Sequence, residues 1–329
     1  MKSLKISSTT RSLRLPRRIH FIGICIVIIF ISLFSFGGAF NPNVQAAYTP
    51  PCEKPGWFPA DFGLKDHHIF WYDGFYYMVS ILVPPGETDP RLQNQFAYAG
   101  STDLCEWEDL SPILTTRTPG AWDETAIWAP YVYLEDDIYY MYFTGVTEDF
   151  TQSILLATST NPSDPQSWQT QNMVFQPEHS GMVWEEGQPS DCRDATVVKV
   201  EDIYYLYYAG SDTTGSIIGL ATATSPQGPW TDWGSIVPPE STAILESPTI
   251  AQFDNAYYLF YNVSRDGGYY RMGASPAGPW QPPQLFRPGW AHEIWQNTVG
   301  EWFTSYLTDL TVTISPLSWD STYSPPRPF

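Results

Sequence analysis

Five times along this chain of 329 residues, an apolar run leads into a short turn of Asp, Gly, Asn or Glu and then into a second run opened by an aromatic pair. The copies are DHHIFWYDGFYYMVS from Asp66, APYVYLEDDIYYMYFTG from Ala129, DATVVKVEDIYYLYYAG from Asp194, ESPTIAQFDNAYYLFYN from Glu246 and HEIWQNTVGEWFTSY from His292. Each predicts two strands joined by a turn. The aromatic pair falls ten residues after the lead residue in four copies and eleven after it in the Glu246 copy. A small-residue stretch follows each copy, often with Pro-Trp or a lone Trp, as in GLATATSPQGPWTDW and RMGASPAGPW; the last, TVTISPLSW, is degenerate. The lead residues are separated by 63, 65, 52 and 46 positions. A repeat of this length holding about four short strands is the sequence form of a propeller blade, which can bury its apolar faces only against its neighbours. We expect an all-β chain, a five-bladed β-propeller forming a single domain over 47–329. A β-sandwich with coincidental similarity is the competing architecture.

The first 46 residues read differently. Lys2, Lys5, Arg11, Arg14, Arg17 and Arg18 precede an apolar run from Phe21 to Phe36, and Val44-Gln45-Ala46 offers small residues before a cut. Basic, apolar, then small is the order of a secretory signal peptide. The alternative is a retained membrane anchor over 21–40, about the length of a spanning helix. Either way the remainder is expected outside the cytoplasm, secreted or anchored.

That segment holds six of the 16 Lys and Arg and none of the 35 Asp and Glu, so the rest of the chain carries a net charge of −25. Such a surface repels phosphate backbones and excludes a nucleic-acid partner. No membrane contact is expected beyond the N-terminal segment, and a monomer is expected. Aromatics are 16% of the chain, a level that suits many short strands or sugar-stacking surfaces. Beyond the signal, Cys52, Cys105 and Cys192 remain, which in an oxidising compartment allows one disulfide and one free thiol. Cys52–Cys105 is the expected pair, because both fall in the first repeat. The chain has no C-x-x-C, H-E-x-x-H or EF-hand loop, so no metal site is expected from motifs.

In a propeller the innermost strands line a central channel and their first residues gather at one mouth. Three lead residues are acids: Asp66, Asp194 and Glu246. Crowded carboxylates raise one another's pKa, which catalysis can use and a scaffold gains nothing from. Arg193 precedes Asp194, and strand alternation would turn it to the opposite face, where it would pair locally. Trp71, Trp122 and Trp128 offer ring faces to the apolar face of a sugar.

At this point the chain resembles the five-bladed propeller glycosidases of glycoside hydrolase family 43, with features shared with family 32. DHHIF with YDGFYYM resembles the first-blade motif of family 43, IWAPYVY its Trp-Ala-Pro motif, RDATVVK its third-blade Asp motif and LESPTI the motif of its general acid. Three positions depart: Tyr131 stands where Asp usually follows Trp-Ala-Pro, His67 replaces a Pro, and Ala195 replaces the Pro that follows Arg-Asp in family 32. The resemblance implies catalytic roles for Asp66 as base, Glu246 as proton donor and Asp194 as the residue that orients the sugar and holds up the pKa of Glu246. His67, Trp71, Trp128, Arg193 and His292 are the candidate substrate contacts. No cofactor is required; similar propellers can hold a cation in the central channel, here Ca²⁺ beside His292. The implied activity is inverting hydrolysis of arabinose- or xylose-type glycosides. The alternatives are a retaining fructosidase or transglycosylase of the family 32 and 68 type and a non-catalytic glycan-binding propeller.

Overall fold

In the computed structural model, residues 52–329 are described, apart from 240, 241, 265 and 288; the expected signal segment lies outside them. Twenty of the described strands form five four-stranded antiparallel sheets. The first blade contains β2 (Gly63–Tyr72), β3 (Phe75–Val83), β4 (Gln95–Ser101) and β5 (Glu108–Thr115). The second contains β6 (Ala126–Glu135), β7 (Ile138–Val146), β8 (Gln152–Ser159) and β9 (Gln169–Phe175). The third contains β10 (Cys192–Val200), β11 (Ile203–Asp212), β12 (Gly215–Ala223) and β13 (Thr231–Val237). The fourth contains β14 (Leu245–Phe253), β15 (Ala256–Val263), β16 (Gly267–Gly273) and β17 (Gln284–Arg287). The fifth contains β18 (Trp290–Gln296), β19 (Trp302–Thr308), β20 (Thr311–Pro316) and, as its outermost strand, β1 (Gly56–Trp57). The only helical pieces among the described residues are two three-residue 3₁₀ turns. This is the five-bladed β-propeller expected from the repeats.

The ring closes through its first strand. β1 pairs with β20, Gly56 opposite Thr313 and Trp57 opposite Val312, so the N-terminal end completes the last blade. Only glycine fits at position 56: its φ is +140°, and a Cβ there would meet the Val312 carbonyl oxygen at 2.1 Å. The Cys52–Cys105 disulfide then ties the strand that completes blade five to the loop between β4 and β5 of blade one. Closing a loop of 53 residues contributes about 2–4 kcal/mol against the unfolded chain. Cys192 is a buried free thiol.

Five apolar clusters sit between successive blades, and the last closes blade five on blade one through Trp57, Leu64, Met78, Phe303 and Ile314. One polar contact recurs at four of these seams. Tyr98, Tyr142, Tyr207 and Tyr258 each donate their hydroxyl to a proline carbonyl 64–84 residues further along the chain, at Pro162, Pro226, Pro276 and Pro326, over 2.5–2.8 Å. A buried tyrosine needs such a partner, and the repeat supplies it. The rigid result fixes the five innermost strands, β2, β6, β10, β14 and β18, around one axis.

Candidate active site

Every innermost strand breaks its regular pairing near its start. The register shifts fall between Lys65 and His67, Trp128 and Tyr131, Arg193 and Thr196, Glu246 and Thr249, and Trp290 and Glu293. In each, one residue takes the left-handed backbone: Asp66 at φ 27°, Ala129 at 46°, Asp194 at 58°, Ser247 at 51° and Ala291 at 49°. Non-glycine residues pay for that conformation in strain, and a ring of five of them marks the place where the chain has been bent for a purpose. In an extended strand, neighbours point to opposite faces. The left-handed residue cancels that alternation, so two successive residues of one strand can face the channel mouth.

The outcome is a cavity of about 390 Å³ at the mouth, lined by Lys65, Asp66, Trp128, Arg193, Asp194, Glu246, Ser247 and Trp290 from the strand starts. Pro90 and Gln93 from the 3₁₀ turn of blade one, and Leu307, Asp309 and Leu310 from the β19–β20 turn, complete its walls. Trp128 is fixed by donating Nε1–H to the Pro90 carbonyl at 3.2 Å.

Four carboxylates, Asp66, Asp194, Glu246 and Asp309, and two cations, Lys65 and Arg193, make up its charge. Arg193 Nη2 lies 3.2 Å from Glu246 Oε1, and Nη1 lies 2.7 Å from Asp191 Oδ1. Its Nε lies 3.9 Å from Asp194 Oδ2, which also accepts the Ser247 backbone N–H at 2.9 Å. Asp191 is held in turn by the Ser211 hydroxyl at 2.8 Å. Burial pushes Asp66 up to about 8, with Asp194 and Glu246 adding to the rise and Lys65 and Arg193 opposing it. Burial also raises Asp194, to about 6, against the pull of Arg193. Burial alone would lower Arg193, but Asp194, Asp191 and Glu246 outweigh it and keep the guanidinium charged. Both shifts are upward, so the buried pair Asp66 and Asp194 holds its protons to higher pH than isolated aspartates do.

Below the mouth the channel narrows to about 20 Å³, room for a single water, where Asp66 and Asp194 meet Tyr131, Thr196 and Glu293. Glu293 lies 3.5 Å from His68 Nδ1, and the Tyr131 ring sits 4.3 Å from the His68 ring. Tyr131 stands where the resemblance expects an acid; by register the carboxylate at this level is Glu293, from blade five. Burial raises both Glu293 and Tyr131.

The three predicted acids thus converge, but not by the expected route. Glu246 is not the counterpart of Asp66 and Asp194; Ser247 is, and Glu246 occupies the position of Arg193, Trp128, Lys65 and Trp290. The eleven-residue spacing of its copy carried that information. Arg193 likewise corrects the alternation argument: the bulge after it brings it into the same cavity as Asp194, instead of turning it away. Trp128 lines the cavity. His67 lies at the narrow part, buried, with Nε2 2.7 Å from the Ser305 hydroxyl; burial first, then His68 and His292, drive its pKa down to about 3, so its ring is neutral.

Trp71 does not reach the cavity. It lies five residues beyond Asp66, about 17 Å along β2, at the opposite end of the channel. Trp122 is also absent from the cavity wall and packs toward Trp184. His292 is turned away as well, its ring 5.4 Å from that of Phe286 and 5.3 Å from that of Tyr306, with Nδ1 3.4 Å from the Thr304 hydroxyl. Calcium wants six to eight oxygen ligands, and among the described residues no group of three or more His, Cys, Asp or Glu is arranged to hold a metal. Lys65, Trp290 and Asp191 were not singled out in the sequence. Lys65 and Trp290 become legible once the repeats are aligned on the residue before each bulge.

A five-bladed propeller with a carboxylate-lined mouth is the class that fold and cavity define. The glycosyl hydrolases family 43 profile matches residues 64–183, which cover the first two blades. The chain is similar to a probable arabinan endo-1,5-alpha-L-arabinosidase A of Aspergillus flavus, 61% identical over 44 residues, 12% of this chain and 14% of that protein. It is also similar to the arabinan endo-1,5-alpha-L-arabinosidase A of Aspergillus aculeatus, 35% identical over 79 residues, 22% of this chain and 23% of that protein. The chain thus spans well under a third of the length of these curated relatives. Among solved structures, an alpha-L-arabinofuranosidase from Lactobacillus brevis superposes with a TM-score of 0.64 at 17% identity, covering 83% of this chain and 95% of that one. The arabinanase of Bacillus subtilis gives 0.61 at 18% identity, covering 82% and 99%. Identities this low carry the fold and nothing finer.

Proposed function

We propose that this protein is an exported glycoside hydrolase that cleaves arabinose- or xylose-type bonds in poly- or oligosaccharides with inversion. The observation that carries this reading is the convergence of Asp66, Asp194 and Glu246 on one cavity, beside two indole rings that can receive a sugar. Glycoside cleavage needs one carboxyl to protonate the leaving oxygen and a second carboxylate to act at the anomeric carbon, through water or directly. Glu246 is the proton donor. Its carboxyl is about a third exposed at the mouth, where a leaving group can be reached, and it lies against Arg193. Asp66, deeper in the cavity, activates water. Asp194, fixed by the Ser247 N–H, orients the sugar ring. Trp128 and Trp290 supply the stacking surfaces. The match to family 43 and the names of the similar arabinan-degrading proteins support the substrate class.

Protein recovered from culture medium, assayed on aryl arabinosides, aryl xylosides, linear arabinan and xylan, should hydrolyse at least one of them. Binding of these glycans with no turnover of any would replace the enzyme by a binding module. The presence of Arg193 in the cavity favours a second reading, a retaining fructosidase, for which sucrose and inulin belong on the same panel.

The pH profile follows from the burial of Asp66. A base works only when ionised, and the free-enzyme pKa appears in kcat/KM. With Asp66 raised to about 8, kcat/KM should fall tenfold or more between pH 8 and pH 6, well above the ordinary aspartate value of about 4. A profile flat down to pH 5 would show that Asp66 is ionised in the free enzyme and not held as described.

A further inference from the structure

The far face of the propeller carries a second cavity, of about 120 Å³, in the seam between blades five and one. Its walls are Ile69, Phe70 and Trp71, from the end of β2, Tyr76, from β3, and Trp295, Gln296, Asn297 and Thr298, from the end of β18 and the turn after it. The catalytic candidates stand at the starts of the innermost strands and these residues at their ends, so the two cavities open on opposite faces. Its volume is about four waters' share of the liquid, the scale of one sugar ring.

The seam is open because blade five is built differently there. The turn between the first two strands is two residues long in the other four blades, Asp73-Gly74, Asp136-Asp137, Glu201-Asp202 and Asp254-Asn255, but runs over five residues, 297–301, in blade five. The longer turn carries Asn297 and Thr298 out beside Tyr76. At the next seam Tyr72, Tyr77 and Tyr139 pack together, and the Tyr139 hydroxyl donates to the Trp71 carbonyl at 3.0 Å. Nothing among the described residues fills the seam between blades five and one in that way.

The chemistry of the walls selects the occupant. The Trp71 and Tyr76 rings meet edge to face with centroids 4.7 Å apart, and Tyr76 lies 6.1 Å from Trp295, so the aromatic surface is bent and partly exposed. One face of Trp295 is covered by Phe303 at 4.8 Å. Gln296 and Thr298 add exposed amide and hydroxyl groups beside it. None of the wall residues is charged, in a chain with a formal charge of −19. The Glu301 carboxylate, in the same turn, is engaged by Asn297 Nδ2 at 2.7 Å. A neutral ligand with one C–H face and a rim of hydroxyls matches such walls; a cation or an anion finds no counter-charge.

We infer that this seam is a second saccharide-binding site, which holds a unit of the polymer remote from the bond being cleaved. It rests on the reading of the chain as a polysaccharide hydrolase, because only a polymer reaches both faces.

The test uses affinity gel electrophoresis of the full exported protein carrying Glu246→Gln, with linear arabinan and with xylan as separate probes in the gel. Trp71→Ala removes the exposed ring, and Thr298→Arg fills the cavity from an exposed position. Each, added to Glu246→Gln, should weaken retardation by the retained polymer at least fivefold. In the active background each should leave kcat/KM on a small aryl glycoside within twofold and raise KM on the polymer. Retardation unchanged by both substitutions, or no retardation of the parent by either polymer, would overturn the inference while leaving hydrolysis intact. Failure of the hydrolase reading looks different: no turnover on any substrate, with retardation still dependent on Trp71 and Thr298.

Discussion

Glu246→Gln should lower kcat by about 10²–10⁴-fold on substrates with poor leaving groups, with KM changed little. The amide keeps the shape and the contact with Arg193, whose Nη2 can donate to the amide oxygen over the 3.2 Å now spanned to Oε1. What is lost is the proton, and the proton matters in the transition state far more than in the bound ground state. The size of the loss should therefore follow the leaving group. An aryl glycoside whose phenolate leaves unaided should be cleaved by the variant far better than an alkyl glycoside or the polymer. A uniform loss across leaving groups would mean that Glu246 is not the donor. A loss confined to KM would make it a binding residue.

Asp66→Asn should be nearly inactive and, at alkaline pH, more stable than the parent. The first effect is of the same order, about 10²–10⁴-fold, since an amide can neither activate water nor attack. The second follows from burial. The folded-state pKa of Asp66 is raised from 3.8 to about 8, so folding holds its proton and ionisation opposes folding. The contribution of this group to stability is therefore greatest below pH 4 and is lost as pH rises through 8. Asparagine has no charge to desolvate and tolerates the left-handed backbone at φ 27°. At pH 9 the variant should melt roughly 2–6 °C higher, and at pH 4 the two proteins should melt together. Removing an active-site charge often stabilises a fold that tolerates it for function. Equal melting at pH 9, or a lower value for the variant, would show that the Asp66 carboxylate is well solvated or well paired, and that the basis for the pH profile is wrong.

Much of the fold was legible because a blade cannot bury itself: the five strand–turn–strand copies and their aromatic pairs report the same inter-blade packing five times. Tyr142, Tyr207 and Tyr258, which recur at the seams, are members of the aromatic-rich second strands of those copies. The closing role of β1 was not legible. Gly56-Trp57 is two residues long, too short to carry a period, and the Cys52–Cys105 pair was expected from the repeat and not from ring closure. In the site, the acids could be named from their position at strand starts, but the side on which neighbours point could not. Alternation is a rule for extended backbone, and the left-handed turn at Asp194 cancels it, which is why Arg193 sits beside Glu246. Trp71 erred the other way. Its ring chemistry suits sugar, but five residues of strand carry it to the far face. His292 shows the same limit: a position in a repeat fixes height along the axis, and the bulge at Ala291 decides which neighbour faces inward. It selects Glu293.

The claim that Asp66 serves a water molecule, and does not itself attack the sugar, is reached most directly by proton NMR of the first product before mutarotation. The inverted anomer is expected at the earliest times, converting afterwards to the equilibrium mixture. The retained anomer as first product would make Asp66 the nucleophile of a covalent intermediate and contradict the assignment of its role.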